Sequence, residues 1–386
     1  MKGSIVFAGS LAQKPQQGGH TWVFLQYLLG FRQLGWDVLF LDRLEPGMCV
    51  DAGGAPCPLA ASTNLRYLRG VMEAFALTDA YSVACDGGER FVGLSRREVL
   101  ARVRSAITLI NVMGFFTDPE ILAAARHRVF FDIDPGFGQM WRELGLHDPY
   151  HGYDRYVTVG ERVGRPGCAV PDCGIAWIAT RQPIVLEHWL PAAPAPEGRF
   201  TSIGAWRGPY GPVEYNGATY GLRAHEFRKF MSLPSLTRES FEVALDIHAA
   251  ETGDLARLSG NGWRLVDPAK VAHNPQAYRA YIAASKAEFM VAKNMYVQSN
   301  SGWFSDRSVC YMASARPVLA QDTGLAGLYP LGRGLLAFST LEEAVAGVEE
   351  IAASYERHCR AAREIVEEYF ESNRVLTRLL QAVGVA

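Results

Sequence analysis

The sequence predicts an α/β protein of two domains, each built around a parallel sheet. Three observations lead to this prediction: the chain has 386 residues, apolar strands alternate with helical segments, and the alternation restarts after a proline-rich stretch near residue 190. A single core rarely grows beyond about 250–300 residues, so this length favours two domains. Short, wholly apolar strands that alternate with helices are typical of parallel sheets covered on both faces.

The first half opens with a strand–helix–strand unit. Residues 4–8 are an apolar run, and a polar loop over residues 9–19 follows them. Apolar side chains then recur at helical spacing over 20–34, and residues 37–42 form the next apolar run. This pattern predicts a βαβ unit and therefore a parallel sheet. Further strands are expected at 107–112, 128–133 and 155–159, with a helix at 119–126, whereas residues 45–100 give no clear pattern.

A proline- and alanine-rich stretch over 190–198 separates the two halves, and such a stretch is stiff and extended. After it we expect strands at 200–205, 241–247, 262–266, 288–292 and 317–320, and helices at 224–231, 276–285 and from 341 onward with a break near 372. We therefore predict an N-terminal domain over 1–190 and a C-terminal domain over 191–365. A last helix within 366–386 is expected to pack back on the first domain.

The composition argues against several classes of protein. The net charge is −2 and no basic run stands out, so nothing indicates binding to nucleic acid. No apolar run reaches the length of about 18 residues that a membrane span needs. The seven cysteines are scattered without a CxxC pair, which indicates neither a disulfide framework nor a zinc site. We expect a cytoplasmic protein without a metal, and the composition leaves a homodimer open.

The segment from Ser299 to Gly324 carries the most chemistry in the second half. A strand is expected to end near Val297, and a helix that Ser305 or Asp306 caps is expected to run to about Ser314. The free N–H groups at such a helix start form an anion site suited to a diphosphate. The strand expected at 317–320 then brings the polar residues 321–323 to its carboxyl end. The plain alternative is a well-capped helix in front of a buried strand.

The order of these features resembles the donor-binding segment of the GT-B glycosyltransferases. The resemblance implies two Rossmann-like domains facing a central cleft, with the nucleotide-sugar donor bound by the C-terminal domain and the acceptor by the N-terminal one. It implies that the diphosphate faces Ser301, Gly302, Ser305 and Arg307, and the donor sugar Gln321 and Asp322. Neighbouring candidates for the donor site are Trp303, Asp306, Ser308 and Thr323.

The segment also departs from that family's pattern. Asn300 or Ser301 stands where a phosphate-binding His is usual, and the helix begins at a different spacing. Cys310 stands near the place of the second glutamate in the two-glutamate signature of many retaining members. The missing glutamate pair favours inversion over retention.

A second constellation, Gly18-Gly19-His20, lies at the first strand-to-helix loop. A glycine pair lets the backbone approach a ligand closely. His20 would project from the first helical turn at the carboxyl end of the sheet, where doubly wound folds bind ligands. An imidazole with a pKa near neutrality suits removal of a proton from an acceptor hydroxyl. The inverting enzymes that the chain resembles place a catalytic His here; the alternative is a helix-start His without a catalytic role.

The sequence Asp132-Ile133-Asp134 follows a predicted buried strand and spells the DxD of GT-A glycosyltransferases. That pair would hold Mg²⁺ or Mn²⁺ on the donor diphosphate, which gives a competing, metal-dependent mechanism. In the GT-B interpretation, Asp134 is a second catalytic candidate that orients His20 or contacts the acceptor. A turn-forming Asp before Pro135-Gly136 is the plain alternative.

Three further donor-site candidates lie in the second half. Gly204 and Arg207 occupy its first loop, where an Arg can hold a phosphate with two hydrogen bonds. Lys293 follows the strand that precedes the donor-binding segment. For both charged side chains the alternative is an ordinary solvated surface position.

Together these observations predict a metal-independent glycosyltransferase with a UDP- or dTDP-sugar as co-substrate, a small-molecule acceptor and His20 as the base of an inverting transfer. No other cofactor is expected. The alternatives are a retaining GT-B transferase, a sugar-nucleotide epimerase on the same double-Rossmann plan, and a bilobed sugar-binding protein without activity.

Overall fold

The computed structural model describes residues 2–385, and two parallel sheets organise this part of the chain. Apolar side chains fill the strands of both sheets, as in β1, where Ile5 to Ala8 are fully buried. None of the helices in residues 2–385 is long and apolar enough to cross a membrane.

The first sheet and its helices extend over the first half of the chain. Its strands are β1 (Ser4–Ala8), β2 (Asp37–Leu44), β3 (Tyr81–Cys85), β4 (Arg90–Gly93), β5 (Thr108–Val112), β6 (Arg128–Asp132), β7 (Arg155–Thr158) and β8 (Trp177–Ala179). They lie in the order β4-β3-β2-β1-β5-β6-β7-β8, and all neighbours are parallel except β3 and β4. The helices are α1 (Gly18–Gln33), α2 (Thr63–Ala74), α3 (Arg96–Ser105), α4 (Pro119–Ala124) and α5 (Phe137–Glu143).

The second sheet has six strands, all parallel. These are β9 (Phe200–Ala205), β12 (Phe241–Asp246), β13 (Arg264–Val266), β14 (Ala287–Met290), β15 (Val318–Gln321) and β16 (Leu335–Phe338), in the order β13-β12-β9-β14-β15-β16. A separate antiparallel hairpin consists of β10 (Val213–Tyr215) and β11 (Ala218–Tyr220).

Nine helices accompany this sheet in the described residues. They are α6 (Arg223–Phe227), α7 (Thr252–Gly260), α8 (Pro268–Val271), α9 (Pro275–Ala284), α10 (Asn294–Ser299), α11 (Asp306–Ala313), α12 (Leu341–Ala353), α13 (Tyr355–Tyr369) and α14 (Ser372–Ala382). The last of these packs on α1, where Leu376 fills the space beside Gly30.

The predicted fold class is confirmed, and one local prediction is corrected. The strand expected to end near Val297 ends at Met290, and α10 occupies the following residues. Helix α10 has only six residues, and its Met295 and Tyr296 are buried. In the sequence, these apolar residues therefore resemble the end of a strand. The unassigned region 45–100 contains α2, β3, β4 and α3.

The carboxyl ends of the two sheets face each other along a boundary that we call the seam. It is defined by contacts between the loops that follow β1, β6 and β7 on one side and residues around α9, α10 and α11 on the other. Parallel strands bring their following loops to one edge of a sheet, which is where α/β folds bind ligands. The seam is therefore the expected location of a ligand site.

Candidate functional site

Lys293 and Asp134 form an ion pair across the seam. Asp134 follows β6 and Lys293 follows β14, and the Lys293 Nζ donates to Asp134 Oδ2 at 2.6 Å. The Tyr296 hydroxyl donates to the other carboxylate oxygen. Two residues that were predicted from separate motifs thus lie in direct contact. Asp134 makes no hydrogen bond to His20 within the described residues, so it does not orient that ring as one alternative required.

Lys14 lies beside this pair, although the sequence analysis did not single it out. Burial lowers the pKa of its ammonium group, while Asp134 raises that pKa and Lys293 lowers it further. Both charges are therefore close enough to act on Lys14. Two cations, Lys14 and Lys293, therefore lie near the one carboxylate of Asp134.

His20 lies in the first turn of α1, as predicted, and its ring is partly buried. Its Nε2 lies 3.1 Å from the Ser10 carbonyl oxygen. The Ser10 hydroxyl lies 3.2 Å from the same nitrogen, so Nε2 donates to the carbonyl in one tautomer and accepts from the hydroxyl in the other. Burial, followed by the charge of Lys14, lowers the pKa of His20 to about 3. The ring is neutral at pH 7, but the expectation of a near-neutral pKa is wrong.

Arg223, at the start of α6, is a cation without a carboxylate partner in the described structure. Its Nη1 reaches only the Ile203 carbonyl at 3.5 Å, and its Nε is buried without a hydrogen bond. Burial, followed by repulsion from Arg307, lowers the pKa of Arg223 to about 10. Its guanidinium lies over Gly204, where a Cβ atom would approach Nη1 to 1.6 Å. The Arg223 side chain therefore occupies the space that a side chain at position 204 would need, which explains the glycine there.

Arg307 is buried and forms an ion pair within the second half of the chain. It is 7% exposed, its Nε donates to Glu288 and its Nη1 donates to the Ile203 carbonyl at 2.7 Å. Burial disfavours its charge, but the ion pair with Glu288 outweighs this and raises the pKa of Arg307. Arg307 therefore fixes the position of β9 through the Ile203 carbonyl, while its Nη2 is buried without a hydrogen-bond partner in the described residues. Its contact with a diphosphate stays a prediction.

The turn before α11 is covered by the first half of the chain. Ser301 and Trp303 are buried; the Ser301 carbonyl accepts from Arg162 N–H at 3.0 Å, and Gly302 N–H donates to the Thr323 carbonyl at 2.7 Å. Trp303 stacks on Tyr296 with the ring centres 4.2 Å apart. The predicted anion-binding turn is thus filled by protein contacts in this structure.

The start of α11 has the predicted cap, since Ser305 Oγ accepts from the Arg307 N–H at 3.2 Å. Burial raises the pKa of Asp306, the first residue of this helix. Ser308 is fully buried and its hydroxyl has no hydrogen-bond partner in the described part of the chain. The cap prediction is confirmed, and the contact of these residues with a diphosphate stays a prediction.

The polar residues at the end of β15 are engaged within the protein. Gln321 donates to Glu226 and accepts from Ala292 N–H at 3.1 Å. Asp322 Oδ1 accepts from two backbone N–H groups of the following turn, and the Thr323 hydroxyl donates to the Trp303 carbonyl at 2.6 Å. Their side chains therefore have structural partners where contacts with a donor sugar were expected.

The glycine pair before His20 has a packing role. A Cβ atom on Gly18 would lie 2.2 Å from the Asn274 carbonyl oxygen, and one on Gly19 would lie 2.9 Å from the Tyr278 ring. Gly18 N–H also donates to the Ala272 carbonyl at 2.7 Å. Close contact of α1 with the segment before α9 explains both glycines, whereas the sequence analysis attributed them to a ligand.

Arg207 and Asp132 are also placed differently from their predicted roles. Arg207 is on the surface, where it pairs with Glu251. Asp132 is 1% exposed and accepts from Gln139 at 2.7 Å and Thr158 at 2.9 Å. Both of these bonds reach Oδ2, and Oδ1 accepts from the Asp134 N–H at 3.0 Å, so the DxD sequence does not present two free carboxylates to a metal. Residues 2–385 contain no cluster of three His, Cys, Asp or Glu side chains that could hold a metal ion.

The comparisons with known proteins concern the fold. No family model and no curated protein matches the sequence. Three similar solved structures each cover nearly all of both chains: Anabaena Alr3699/HepE in complex with UDP and glucose (12% identity, 99% of each chain, TM-score 0.59), an alpha-glucosyltransferase (AGT) in complex with UDP (10%, 99% of each chain, 0.58) and sucrose-phosphate synthase from Thermosynechococcus elongatus (11%, 98% of each chain, 0.54). The chain has the GT-B fold of these proteins.

Proposed function

We propose that this protein is a glycosyltransferase that moves a sugar from a UDP- or dTDP-linked donor to an acceptor hydroxyl without a metal ion. The observation that carries the proposal is the set of cations at the seam. Lys14 and Lys293 share the carboxylate of Asp134, and Arg223 has no ion-pair partner in the described residues, although Glu288 and Asp306 act on its charge from farther away. The same fold in UDP-bound transferases supports the choice of a nucleotide diphosphate as the missing anion.

The cations have a chemical task in such a transfer. Cleavage of the donor leaves a diphosphate whose negative charge grows in the transition state, and fixed positive groups stabilise it most at that point. Arg223 suits this task because a guanidinium binds phosphate oxygens in pairs. The backbone of residues 301–308 is proposed as a further phosphate contact, which requires residues 160–169 to move away from it.

His20 is proposed as the base that activates the acceptor in an inverting transfer. In the tautomer whose Nε2 donates to the Ser10 carbonyl, Nδ1 keeps a lone pair for the acceptor proton, and a bound diphosphate nearby would raise the low pKa of the ring. Retention is the second candidate, because an imidazole with a pKa of about 3 is a weak base. The anomeric configuration of the product, read by NMR, decides between the two.

We also propose that the two halves of the chain bind different substrates. Residues 1–190 would bind the acceptor, residues 191–365 the donor, and the helix within 366–386 would fasten the second half to α1. The ion pair between Asp134 and Lys293 then connects the two partners of the reaction.

Release of nucleoside diphosphate tests this function. The protein is incubated in EDTA with UDP-glucose, UDP-galactose or dTDP-glucose and a panel of hydroxylated small molecules. Diphosphate release that requires an acceptor supports a transferase. Interconversion of the sugar without an acceptor identifies an epimerase, and binding of the nucleotide sugar without either reaction indicates a binding protein.

A further inference from the structure

A groove of about 330 Å³ lies between α2 and the start of α9. One wall comes from α2 in the first half of the chain, and the other from Asn274, Pro275 and Gln276 in the second half. Ligand pockets for small molecules begin at about 300 Å³, so the groove can hold a molecule of one or two rings.

Thr63 gives the groove a polar group that lacks a partner. This lining residue is 6% exposed, and its hydroxyl makes no hydrogen bond in the described part of the chain. A buried hydroxyl without a partner costs about 1–3 kcal/mol, so such groups are normally satisfied. The Thr63 oxygen is covered in the empty groove, so a ligand with a polar atom at this end would supply the missing bond after the Thr63 side chain rotates toward it.

Gly70, which also lines the groove, is a second and independent feature of this site. It lies in the interior of α2, where glycine costs about 0.5–1 kcal/mol relative to alanine. Its φ is not positive, and a Cβ atom added to it would meet nothing within 4 Å. Packing therefore does not require glycine here. Its effect is to leave the wall of the groove open.

The remaining walls are aromatic with one cation at the rim. Tyr67 and Phe75 line the groove, and both are partly buried. Among the lining residues in the described part of the chain, Arg66 is the one charged side chain, and it is exposed. Flat rings pack well on aromatic side chains, and a guanidinium pairs with a carboxylate.

The groove adjoins the start of α1. Its lining residue Gln16 lies four positions before His20, and the Tyr67 hydroxyl is 2.8 Å from the hydroxyl of Thr21, the residue after His20. The Asn274 carbonyl oxygen fills the space beside Gly18. A ligand in the groove would thus be held beside the helical turn that carries the proposed base.

We propose that this groove binds the acceptor, and that the acceptor is a small hydroxylated aromatic acid. The ring would lie between Tyr67 and Phe75, an oxygen of the ligand would pair with the Thr63 hydroxyl, and its carboxylate would face Arg66. This inference rests on the proposed transferase function and adds the class of acceptor to it.

Fluorescence anisotropy with 7-hydroxycoumarin-3-carboxylate tests the proposal. We expect binding to the wild-type protein, weaker binding of uncharged 7-hydroxycoumarin, and loss of this difference in Arg66→Gln. Gly70→Leu, which fills the open wall, should weaken binding by at least about tenfold. Thr63→Val should weaken it by about two- to tenfold, the value of one hydrogen bond, without loss of stability.

Gly253→Leu is the matched control, because Gly253 is also an exposed helical glycine with open space around it. It should leave binding unchanged. UDP should bind equally to wild type, Gly70→Leu and Thr63→Val, which keeps a failure of the groove apart from a failure of the donor site.

Three results would overturn the proposal while UDP still binds: no binding of the coumarin acid, equal binding by Gly70→Leu, or displacement of the coumarin acid by UDP. The last would assign the groove to the donor. Conversely, absence of UDP binding together with binding of the coumarin acid would contradict the transferase proposal on which the acceptor assignment rests.

Discussion

Arg223 and Arg307 show how two neighbouring arginines can have opposite roles. Arg307 has Glu288 as a counter-charge, whereas the half-buried Arg223 has one distant carbonyl and no carboxylate within hydrogen-bonding distance in the described residues. A charge that leaves water without a partner destabilises a folded protein. The lowered pKa of Arg223, due mainly to burial, reflects that cost. A perturbed cation of this kind in a cleft is a candidate contact for an anionic ligand.

This contrast predicts that Arg223→Met separates stability from binding. The free energy of unfolding should stay constant or rise, because an unpaired charge is replaced by an apolar side chain of similar length. The affinity for UDP should fall by about tenfold or more, the value of a charge-assisted contact. Urea unfolding and calorimetric titration measure the two quantities.

Arg207→Met is the control for that experiment. Arg207 is an exposed partner of Glu251, and surface ion pairs contribute little. Neither the stability nor the UDP affinity should change. A loss of stability in Arg223→Met with unchanged UDP affinity would make Arg223 a structural residue.

His20 makes a second prediction, on the pH dependence of stability. Burial and Lys14 lower its pKa from 6.5 to about 3, so between these values the unfolded state binds more protons than the folded state. The stability that the neutral ring contributes is present above pH 6.5 and is lost as the pH falls towards 3. In His20→Gln, the loss of unfolding free energy between pH 7 and pH 4 should shrink by about 1–3 kcal/mol.

Denaturant unfolding at the two pH values measures this difference. His147→Gln is the control, because that ring is exposed and its removal breaks no buried contact. If wild type and His20→Gln lose equal stability on acidification, His20 is not held neutral by its surroundings.

Single residues were the hardest part to predict from sequence. Nothing in the pattern around Lys14 or Arg223 marks them, because their significance comes from burial beside other charges that are distant in the chain. Arg207 and Arg307 looked equally suitable as phosphate ligands, yet one lies on the surface and the other is paired with Glu288. Partners of this kind become visible only when the fold brings them together.

Helix α1 connects the two halves through its first turn and its middle. Gly18 and Gly19 contact the segment that starts α9, the Trp22 indole donates to the Pro275 carbonyl at 3.0 Å, and Gly30 receives α14. The contacts at Gly18, Gly19 and Gly30 depend on residues that have no side chain. The contact at Trp22 depends on one large side chain that reaches the start of α9.

We expect Gly18→Ala to destabilise the protein by about 1–3 kcal/mol, as overpacking does in a tight core. The added Cβ would lie 2.2 Å from the Asn274 carbonyl oxygen, which is backbone and cannot rotate away. Gly47→Ala is the control, since its added atom meets nothing within 4 Å. Equal stability of both variants in urea would show that the start of α1 is free to shift.

Elements with local signals were predicted well, and elements without them were missed. The cap of α11 by Ser305 and the limits of β9 were readable because caps and apolar runs are local features. α2 and α3 were missed although both have serine caps, since α3 has few apolar residues and α2 contains Gly70. The apolar turn at 294–299 was mistaken for a strand because helix and strand cannot be distinguished in so short a run.

The two-sheet plan of the molecule follows from the repeated strand–helix alternation and the proline-rich stretch between its two series. That plan also places the carboxyl ends of both sheets at one seam, which is why Asp134 and Lys293 meet. The sequence does not predict the seam contacts between residues 299–303 and residues 160–169. These contacts depend on how closely the two halves approach each other.

The central claim is that the seam binds a nucleotide diphosphate through protein cations. Calorimetric titration of the wild-type protein with UDP and with UMP, both in EDTA, tests it most directly. We predict that UDP binds and that UMP binds at least about tenfold more weakly, because the second phosphate reaches Arg223 and the two lysines. Equal affinities, or no binding of UDP until Mn²⁺ is added, would contradict the account.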